Sequence, residues 1–273
     1  ELTVHEDWAR LSVNHLLQPG ETLSLTKFVA YGWSAQRSVP ALRDQVEAAL
    51  IAAKHAGWDD LLESQRGAMD VFWRGADVEI DGAPAVQQAV RFALFHTFQA
   101  GARAERRAIP AKGLTGPGYD GHAFWDTEAF VLPVLTAPAP HAAADALRWR
   151  ASTLDLARER ANTLHLAGAA FPWRTIRGQE CSGYWPAGAA AMHINTDIAV
   201  AAMRYVLWTG DVDFDRDHAL PILVETARLW QSLGYVGADG HFHIDGITGP
   251  DEYSAVVDDN VYTNLMAARN LTG

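Results

Sequence analysis

Apolar residues recur every three to four positions through most of this chain, which is the period of an amphipathic α-helix. In residues 38–57, for example, Leu42, Val46 and Leu50 recur at helical spacing. No heptad pattern and no fixed-period repeat is visible. Because loops rich in glycine and tryptophan separate the helical segments, the pattern predicts a mainly α fold, either a helical barrel or a solenoid. The predicted helices span 38–57, 81–103, 139–165, 187–209, 215–233 and 253–270, and the predicted loops span 108–125, 168–187 and 234–251.

The first 36 residues have a different pattern. Residues 20–35 are rich in Thr, Phe, Val and Tyr with alternating apolar positions, which is typical of a β-strand. Because a single strand is not stable without sheet partners, we expect this strand to belong to an N-terminal β-domain. In the helix that follows, Ser38 is the predicted N-cap, Pro40 fits the first turn and Gly57 is the predicted end.

Composition excludes several classes of partner. The net charge is −11 with 22 basic residues and no basic run, which argues against nucleic acid and against an anionic membrane surface. No apolar stretch reaches the roughly 18 residues of a spanning helix. The single cysteine, Cys181, rules out an internal disulfide and suits a reducing compartment, so we predict a cytoplasmic location.

The loop at 112–130 combines aromatic, acidic and imidazole side chains with several glycines, and a sugar site uses such a combination. Sugar C–H groups pack on an aromatic face while sugar hydroxyls donate to carboxylates. A structural alternative stays open, in which Asp126 or Thr127 caps a helix and Trp125 lies in the core. The candidates are Tyr119, His122, Trp125, Asp126 and Glu128.

The second loop, at 171–188, alternates Trp173, Tyr184 and Trp185 with charged residues such as Glu180. Aromatic residues beside charges in a loop suggest a cleft for a polar ligand. Cys181 has no histidine partner at a diagnostic spacing, and we interpret it as a buried bystander without a role as nucleophile. In the helix that follows, His193 and Asp197 share one face at i,i+4, and we expect them to pair.

Metal and nucleotide motifs are weak or missing in the sequence. The aspartates at 211–217 lack the glycine and glutamate of a calcium loop. His241, His243 and Asp245 alternate, as on a short hairpin arm, but lack the helical histidine pair of many zinc sites. No glycine-rich phosphate loop and no nucleophile elbow exists. We therefore predict no metal, and nucleotide chemistry and serine hydrolysis lose support.

Glu252 lies in the segment GITGPDEYSAVV (246–257), directly after Pro250 and Asp251. In one interpretation, Pro250 begins a helix and the two acids lie in its first turn, where the dipole favours them. In the other, an apolar and partly dry site keeps Glu252 protonated, and it donates its proton to the leaving oxygen of a glycosidic bond. The residues alone leave both interpretations open.

Three segments resemble the successive signatures of glycoside hydrolase family 65, which includes maltose, trehalose and kojibiose phosphorylases and acid trehalases. They occur in the family order and cover roughly residues 105–270. The segments are GLTGPGYDGHAFWDTEAFVLP, GQECSGYWPAGAAAMHINTDIA and ITGPDEYSAVVDDNVYTN.

The resemblance implies a mainly α fold, an (α/α)6 helical barrel preceded by a β-sandwich and linking helices. We accordingly expect the end of the β-sandwich at 1–36, a helical linker at 37–75 and the first part of the barrel at 76–273. Because family members are far longer, we expect only a partial barrel in this chain, with the last strand of the β-sandwich before it.

The resemblance also implies roles for individual residues. Glu252 occupies the position of the general acid, and Trp125 and Asp126 match positions that hold the non-reducing glucose. Glu180 and Trp185 belong to the second signature, which lines the same cleft. We add His122, from the loop of Trp125, to the predicted substrate-binding residues.

The implied reaction is inverting cleavage of an α-glucosidic disaccharide, with inorganic phosphate as co-substrate, β-glucose 1-phosphate as product and no cofactor. Hydrolysis of the same substrates and a non-catalytic sugar-binding fragment stay open as alternatives. The expected partners are a disaccharide and phosphate, without nucleic acid or membrane, and a homodimer is left open.

Overall fold

The structure is a computed structural model that describes residues 2–32, 37–101, 106–113 and 116–273. It is mainly α-helical, as the apolar spacing predicts. The chain forms two compact units, residues 1–70 and residues 71–273. None of the described helices is both long and apolar enough to cross a bilayer.

The first unit contains one small hairpin and most of the first helix. Strands β1 (Leu2–Val4) and β2 (Ala9–Leu11) pair antiparallel, with Leu2 opposite Leu11. Helix α1 (Val39–Ala76) begins directly after Ser38, whose hydroxyl accepts from the amide of Ala41 at 3.4 Å. At Gly57, φ is 79° and ψ is 179°, so this residue breaks the helix as predicted, but a second helical stretch follows at once.

The strand predicted at 20–35 is not formed in its described part. Residues 21–32 have no regular ladder, and residues 33–35 lie outside the described residues. A strand exists only where a neighbour accepts and donates its main-chain hydrogen bonds, and residues 21–32 pair with no described segment.

The second unit consists of short helices joined by loops. Helix α2 covers most of the predicted segment 81–103, of which residues 102 and 103 lie outside the described residues. Two small antiparallel pairs are formed, β3 with β4 and β5 with β6, the second being the hairpin expected near His243. The helices are α2 (Pro84–Gly101), α3 (Leu132–Leu135), α4 (Pro140–Ser152), α5 (Leu154–Thr163), α6 (Trp185–Ala190), α7 (His193–Thr209), α8 (Val212–Phe214), α9 (Leu220–Leu233) and α10 (Val261–Thr272). The strands are β3 (Ala123–Phe124), β4 (Arg174–Thr175), β5 (Tyr235–Val236) and β6 (Phe242–His243), and π-helical turns occur at Thr127–Val131 and Asp215–Ala219.

Helix α7 is the central element of this unit. Residues 193–202 are buried without interruption, and the helix packs against α4, α9 and α10. A helix that is buried on every side needs small and apolar residues around its whole circumference, which its sequence HINTDIAVAAM largely provides. Its first residue, His193, therefore has a fixed position relative to the surrounding helices and loops.

Candidate active site

Three loops of the second unit are joined to one another by main-chain hydrogen bonds. Strand β3 pairs with β4, so the loop before α3 lies against the loop before α6. The amide of Thr248 donates to the carbonyl of Ala190 at 3.0 Å and ties the third loop to the end of α6. These are the loops that carry the predicted site residues, and the fold therefore brings the three sequence signatures into one region.

Trp125 and Asp126 lie at the end of the first loop. The indole of Trp125 is half-buried, and the ring of His193 meets it edge-on with the centroids 4.8 Å apart. Asp126 precedes the π-helical turn, and its exposed carboxylate caps no amide of that turn. The capping role is therefore not seen for Asp126, and its carboxylate is available to a ligand.

Glu128 belongs to the same acidic segment but is buried. Its carboxylate forms an ion pair with Arg150 of α4, and both side chains are almost completely inaccessible. Glu128 therefore lies in the core beneath the loop and does not face a cleft. Asp126 and Glu128 are two positions apart on this helical turn, so their side chains leave it on opposite sides. π-Helical turns are frequent at functional sites.

His122 lies between a carbonyl and a guanidinium. Its Nδ1 is 2.7 Å from the carbonyl oxygen of Tyr119 and 3.2 Å from Nη2 of Arg174. One nitrogen cannot donate to the carbonyl and accept from the guanidinium at once, and the shorter distance favours donation to Tyr119. In the neutral ring, Nε2 then carries the lone pair that can accept a hydrogen bond from a ligand hydroxyl.

The carboxylate of Glu180 is used within the second loop. Its Oε2 accepts from the amide of Trp173 at 2.6 Å, and its Oε1 accepts from the amide of Ser182 at 2.8 Å.

Arg160 of α5 connects this carboxylate to the neighbouring main chain. Its guanidinium lies 3.7 Å from the carboxylate of Glu180. It also donates to three main-chain carbonyls, those of Ala170, Phe171 and Gly188. Glu180 thus organises the loop that leads to Trp185, whose indole is 65% exposed at the start of α6.

The third loop is closed at its base and open at its tip. Ile247 and Val257 exchange main-chain hydrogen bonds of 3.0 and 2.8 Å, and the amide of Gly246 donates to Asp258 at 2.9 Å. Glu252 lies at the tip and is exposed, and its carboxylate has no hydrogen bond or ion pair with any described residue. This loop is therefore fixed where it leaves the fold, while its acid faces solvent.

The helix-start interpretation of Glu252 is wrong. No helix covers residues 250–257, and α10 begins only at Val261, with the side chain of Asn260 accepting from the amide of Thr263 at 3.1 Å. The predicted helix 253–270 therefore starts eight residues too early. The apolar and partly dry setting that a general acid requires is not supplied by the described residues around Glu252.

His243 links two segments next to this loop through hydrogen bonds to two aspartates, a group called the His243 clamp below. Its Nδ1 is 2.7 Å from Oδ2 of Asp259, and its Nε2 is 3.0 Å from Oδ1 of Asp239. These hydrogen bonds, the one to Asp259 first, raise the pKa of His243 to about 9. The hydrogen bond from His243 is in turn the main cause that lowers the pKa of Asp239 to about 2.

No described group of three or more His, Cys, Asp or Glu side chains has the arrangement of a metal site.

The expected pair of His193 and Asp197 is confirmed. The Nδ1 of His193 lies 2.8 Å from Oδ2 of Asp197, and both side chains are buried. A third member, Tyr262 of α10, was not predicted from the sequence, and its hydroxyl donates to Oδ1 of Asp197 at 2.6 Å. The signal that could have found it is the tyrosine in the third signature, three residues after the acidic pair Asp258 and Asp259.

Cys181 has no features of a nucleophile. Its thiol donates to the carbonyl of Arg174 at 3.2 Å. Burial, and then the negative charge of Glu180, raise the pKa of Cys181 above its ordinary value. A thiol that stays protonated is a poor nucleophile, in agreement with the bystander interpretation. The expectation that Cys181 is buried is wrong, because the residue is exposed on the second loop.

With these three loops in place, the chain can be compared with known proteins. The model of the glycosyl hydrolase family 65 central catalytic domain matches residues 91–273, and the model of the family's N-terminal domain matches residues 2–72. The chain belongs to glycosyl hydrolase family 65. Its helical unit is accordingly part of an (α/α)6 barrel, and the resemblance identified in the sequence is confirmed.

Several relatives in the family are similar over most of this chain. An "Uncharacterized glycosyl hydrolase" of Mycobacterium tuberculosis is 66% identical over 97% of this chain and 34% of its own length. An "Alpha,alpha-trehalose phosphorylase" of Geobacillus stearothermophilus is 50% identical over 78% of this chain and 28% of its own length. The solved structure of a "Putative kojibiose phosphorylase from human microbiome" has a TM-score of 0.79 at 32% identity and covers 86% of this chain and 32% of its own. The chain thus spans about a third of the length of the relatives it matches.

Proposed function

We propose that the protein cleaves an α-linked glucose disaccharide of the trehalose or maltose type by phosphorolysis, with inversion at the anomeric carbon. The observation that carries this proposal is the joining of three loops that display Trp125, Trp185 and Glu252 in one region. Similarity to relatives named trehalose phosphorylase and kojibiose phosphorylase supports phosphate as the nucleophile.

Glu252 is the proposed general acid. It donates its proton to the glycosidic oxygen while an oxygen of HPO₄²⁻ attacks the anomeric carbon from the opposite face. The carbon–oxygen bond to the leaving sugar breaks, and the products are β-glucose 1-phosphate, which still carries the phosphate proton, and a free sugar. The ester then loses that proton, which restores the acid form of Glu252. No cofactor takes part.

A general acid of this kind works in a covered and partly dry site, so we propose that the site of Glu252 is covered in the active protein. The relatives are about three times as long as the matched segment, and additional chain of that length would supply the cover.

The sugar is held on the other two loops. We propose that the indole of Trp125 packs on the non-reducing glucose, and that Asp126 and the Nε2 of His122 accept hydrogen bonds from its hydroxyls. Trp185 offers a second aromatic face, and Glu180 acts on the substrate by fixing the loop that presents this face.

The exposure of Glu252 favours a second candidate for residues 1–273 alone, a sugar-binding fragment without turnover. One experiment distinguishes the candidates. The complete gene product containing these residues is incubated with trehalose, maltose and kojibiose, with and without phosphate, and the products are identified by NMR. β-Glucose 1-phosphate that forms only with phosphate supports phosphorolysis. Free glucose that forms without phosphate would show hydrolysis instead of phosphorolysis. Binding of the disaccharide without turnover would support the sugar-binding fragment.

A further inference from the structure

Beneath the candidate sugar-binding loop lies a buried polar group that the proposed reaction does not use. Asp197 of α7 is 2% exposed at its side chain, and His193 is 1% exposed. Burial of a carboxylate costs several kcal/mol unless donors surround it, so such groups persist only when they are well paired. Asp197 has two donors, Nδ1 of His193 at 2.8 Å and the hydroxyl of Tyr262 at 2.6 Å.

These two hydrogen bonds determine the orientation of both partners. A carboxylate facing Nδ1 requires a proton on that nitrogen, which fixes the plane of the imidazole. Tyr262 is held as a donor, because burial and then Asp197 raise the pKa of its phenol. Rotation of the imidazole breaks its hydrogen bond to Asp197, and displacement of the phenol breaks the other.

The rings of this group contact the two elements that carry the proposed chemistry. The rings of His193 and Trp125 form a T-shaped pair, with an interplanar angle of 80° and centroids 4.8 Å apart, and His193 forms a second T-shaped pair with Tyr262 at 79° and 5.5 Å. Tyr262 is the second residue of α10, which directly follows the loop of Glu252. His193 thus lies between the aromatic face that is proposed to hold glucose and the helix that anchors the proposed acid loop.

We infer that Asp197, His193 and Tyr262 form a positioning unit that fixes the indole of Trp125 relative to the loop of Glu252. The inference rests on the proposed function, since it assumes that Trp125 holds the substrate. None of the three residues contacts the sugar, because His193 and Asp197 are buried and the hydroxyl of Tyr262 points at Asp197. They act through the geometry of Trp125, and an indole that is displaced from its position should hold the sugar less tightly.

The test uses Tyr262→Phe in the complete gene product, with Tyr205→Phe as the matched control. Tyr205 also contributes a buried phenol to α7, and its hydroxyl donates to Asp211 at 3.2 Å, but it packs against Phe214 and not against Trp125. We expect similar losses of thermal stability in the two variants. Tyr262→Phe should lower kcat/KM for the disaccharide roughly tenfold, mainly through a higher KM for the sugar, whereas Tyr205→Phe should stay within about twofold of the wild type.

A second variant, His193→Asn, keeps an amide donor near Asp197 but removes the ring edge that contacts Trp125. It should reproduce the rise in the disaccharide KM while the KM for phosphate stays unchanged. If Tyr262→Phe fails to fold, His193→Asn alone tests whether the positioning unit affects sugar binding. Normal disaccharide kinetics in the folded variants of Tyr262 and His193, beside an active wild type, would overturn the inference. A wild type that cleaves none of the disaccharides would instead remove the proposed function.

Discussion

Arg150 of α4 holds Glu128 of the π-helical turn through two hydrogen bonds, Nε to Oε1 at 2.5 Å and Nη2 to Oε2 at 3.2 Å. Both side chains are buried, and the turn that contains Glu128 directly follows Asp126. The ion pair therefore supports the loop end at which the glucose is proposed to bind.

Glu128→Gln should destabilise the fold strongly, because it leaves the guanidinium of Arg150 buried without its counter-charge. We expect a loss of about 3–5 kcal/mol in the free energy of unfolding, measured by urea denaturation. The control is Asp145→Asn, which removes the partner of Arg148 in a half-buried pair on the same helix and should cost under about 1 kcal/mol. Equal losses in the two variants would contradict a structural role for the buried pair.

Glu252→Gln should abolish cleavage while the disaccharide still binds. The amide has the shape of the acid but cannot donate its proton to the leaving oxygen, so we expect kcat to fall by roughly 10²-fold or more. Calorimetric titration with the disaccharide should give a dissociation constant close to that of the wild type. Asp251→Asn is the control, since asparagine can still accept from the amide of Tyr253 as Asp251 does. Normal turnover in Glu252→Gln would exclude this residue from the reaction.

Asp126→Asn should weaken sugar binding and slow turnover. A hydrogen bond to a charged group contributes about 1.5–3 kcal/mol, so the dissociation constant for the disaccharide should rise roughly tenfold or more. The control is Asp155→Asn, which changes an exposed acid on α5. An unchanged kcat/KM in Asp126→Asn, measured with saturating phosphate, would argue against contact with the glucose.

The clamp at His243 predicts a stability that depends on pH. Its pKa is raised to about 9 from an ordinary value near 6.5, so its contribution is complete below about pH 6.5 and disappears as the pH rises through about 9. His243→Gln should therefore lower the melting temperature most at pH 6 and hardly at pH 10. His141→Gln, at an exposed site on α4, should have a small effect at every pH. A pH-independent difference between wild type and His243→Gln would rule out the charged clamp.

Local patterns predicted the parts of the fold that depend on neighbours in sequence. Helical spacing predicted most of the helices, and the i,i+4 rule predicted the pair of His193 and Asp197. The break at Gly57 was also visible, because glycine adopts a positive φ at little cost.

Contacts between distant segments were not visible in the sequence. The start of α10 was misplaced because Val257 pairs with Ile247, which keeps the segment before α10 out of a helix. The hydrogen bond from the amide of Ser182 to Glu180, and the ion pair of Glu180 with Arg160 of α5, also depend on the folded structure and could not be predicted from composition. The site itself was predicted from the resemblance of three signatures, while the support beneath it, including Tyr262, was found only in three dimensions.

The links between the three loops run through peptide groups, at β3 with β4 and at Thr248 with Ala190. Every amino acid except proline supplies the same peptide N–H and C=O, so these links tolerate replacement of the side chains that the loops display. Exchanging Trp185 should change the surface that is proposed to meet a second sugar, and it breaks none of these links. The scaffold would then outlast a change in the disaccharide that the loops are proposed to accept.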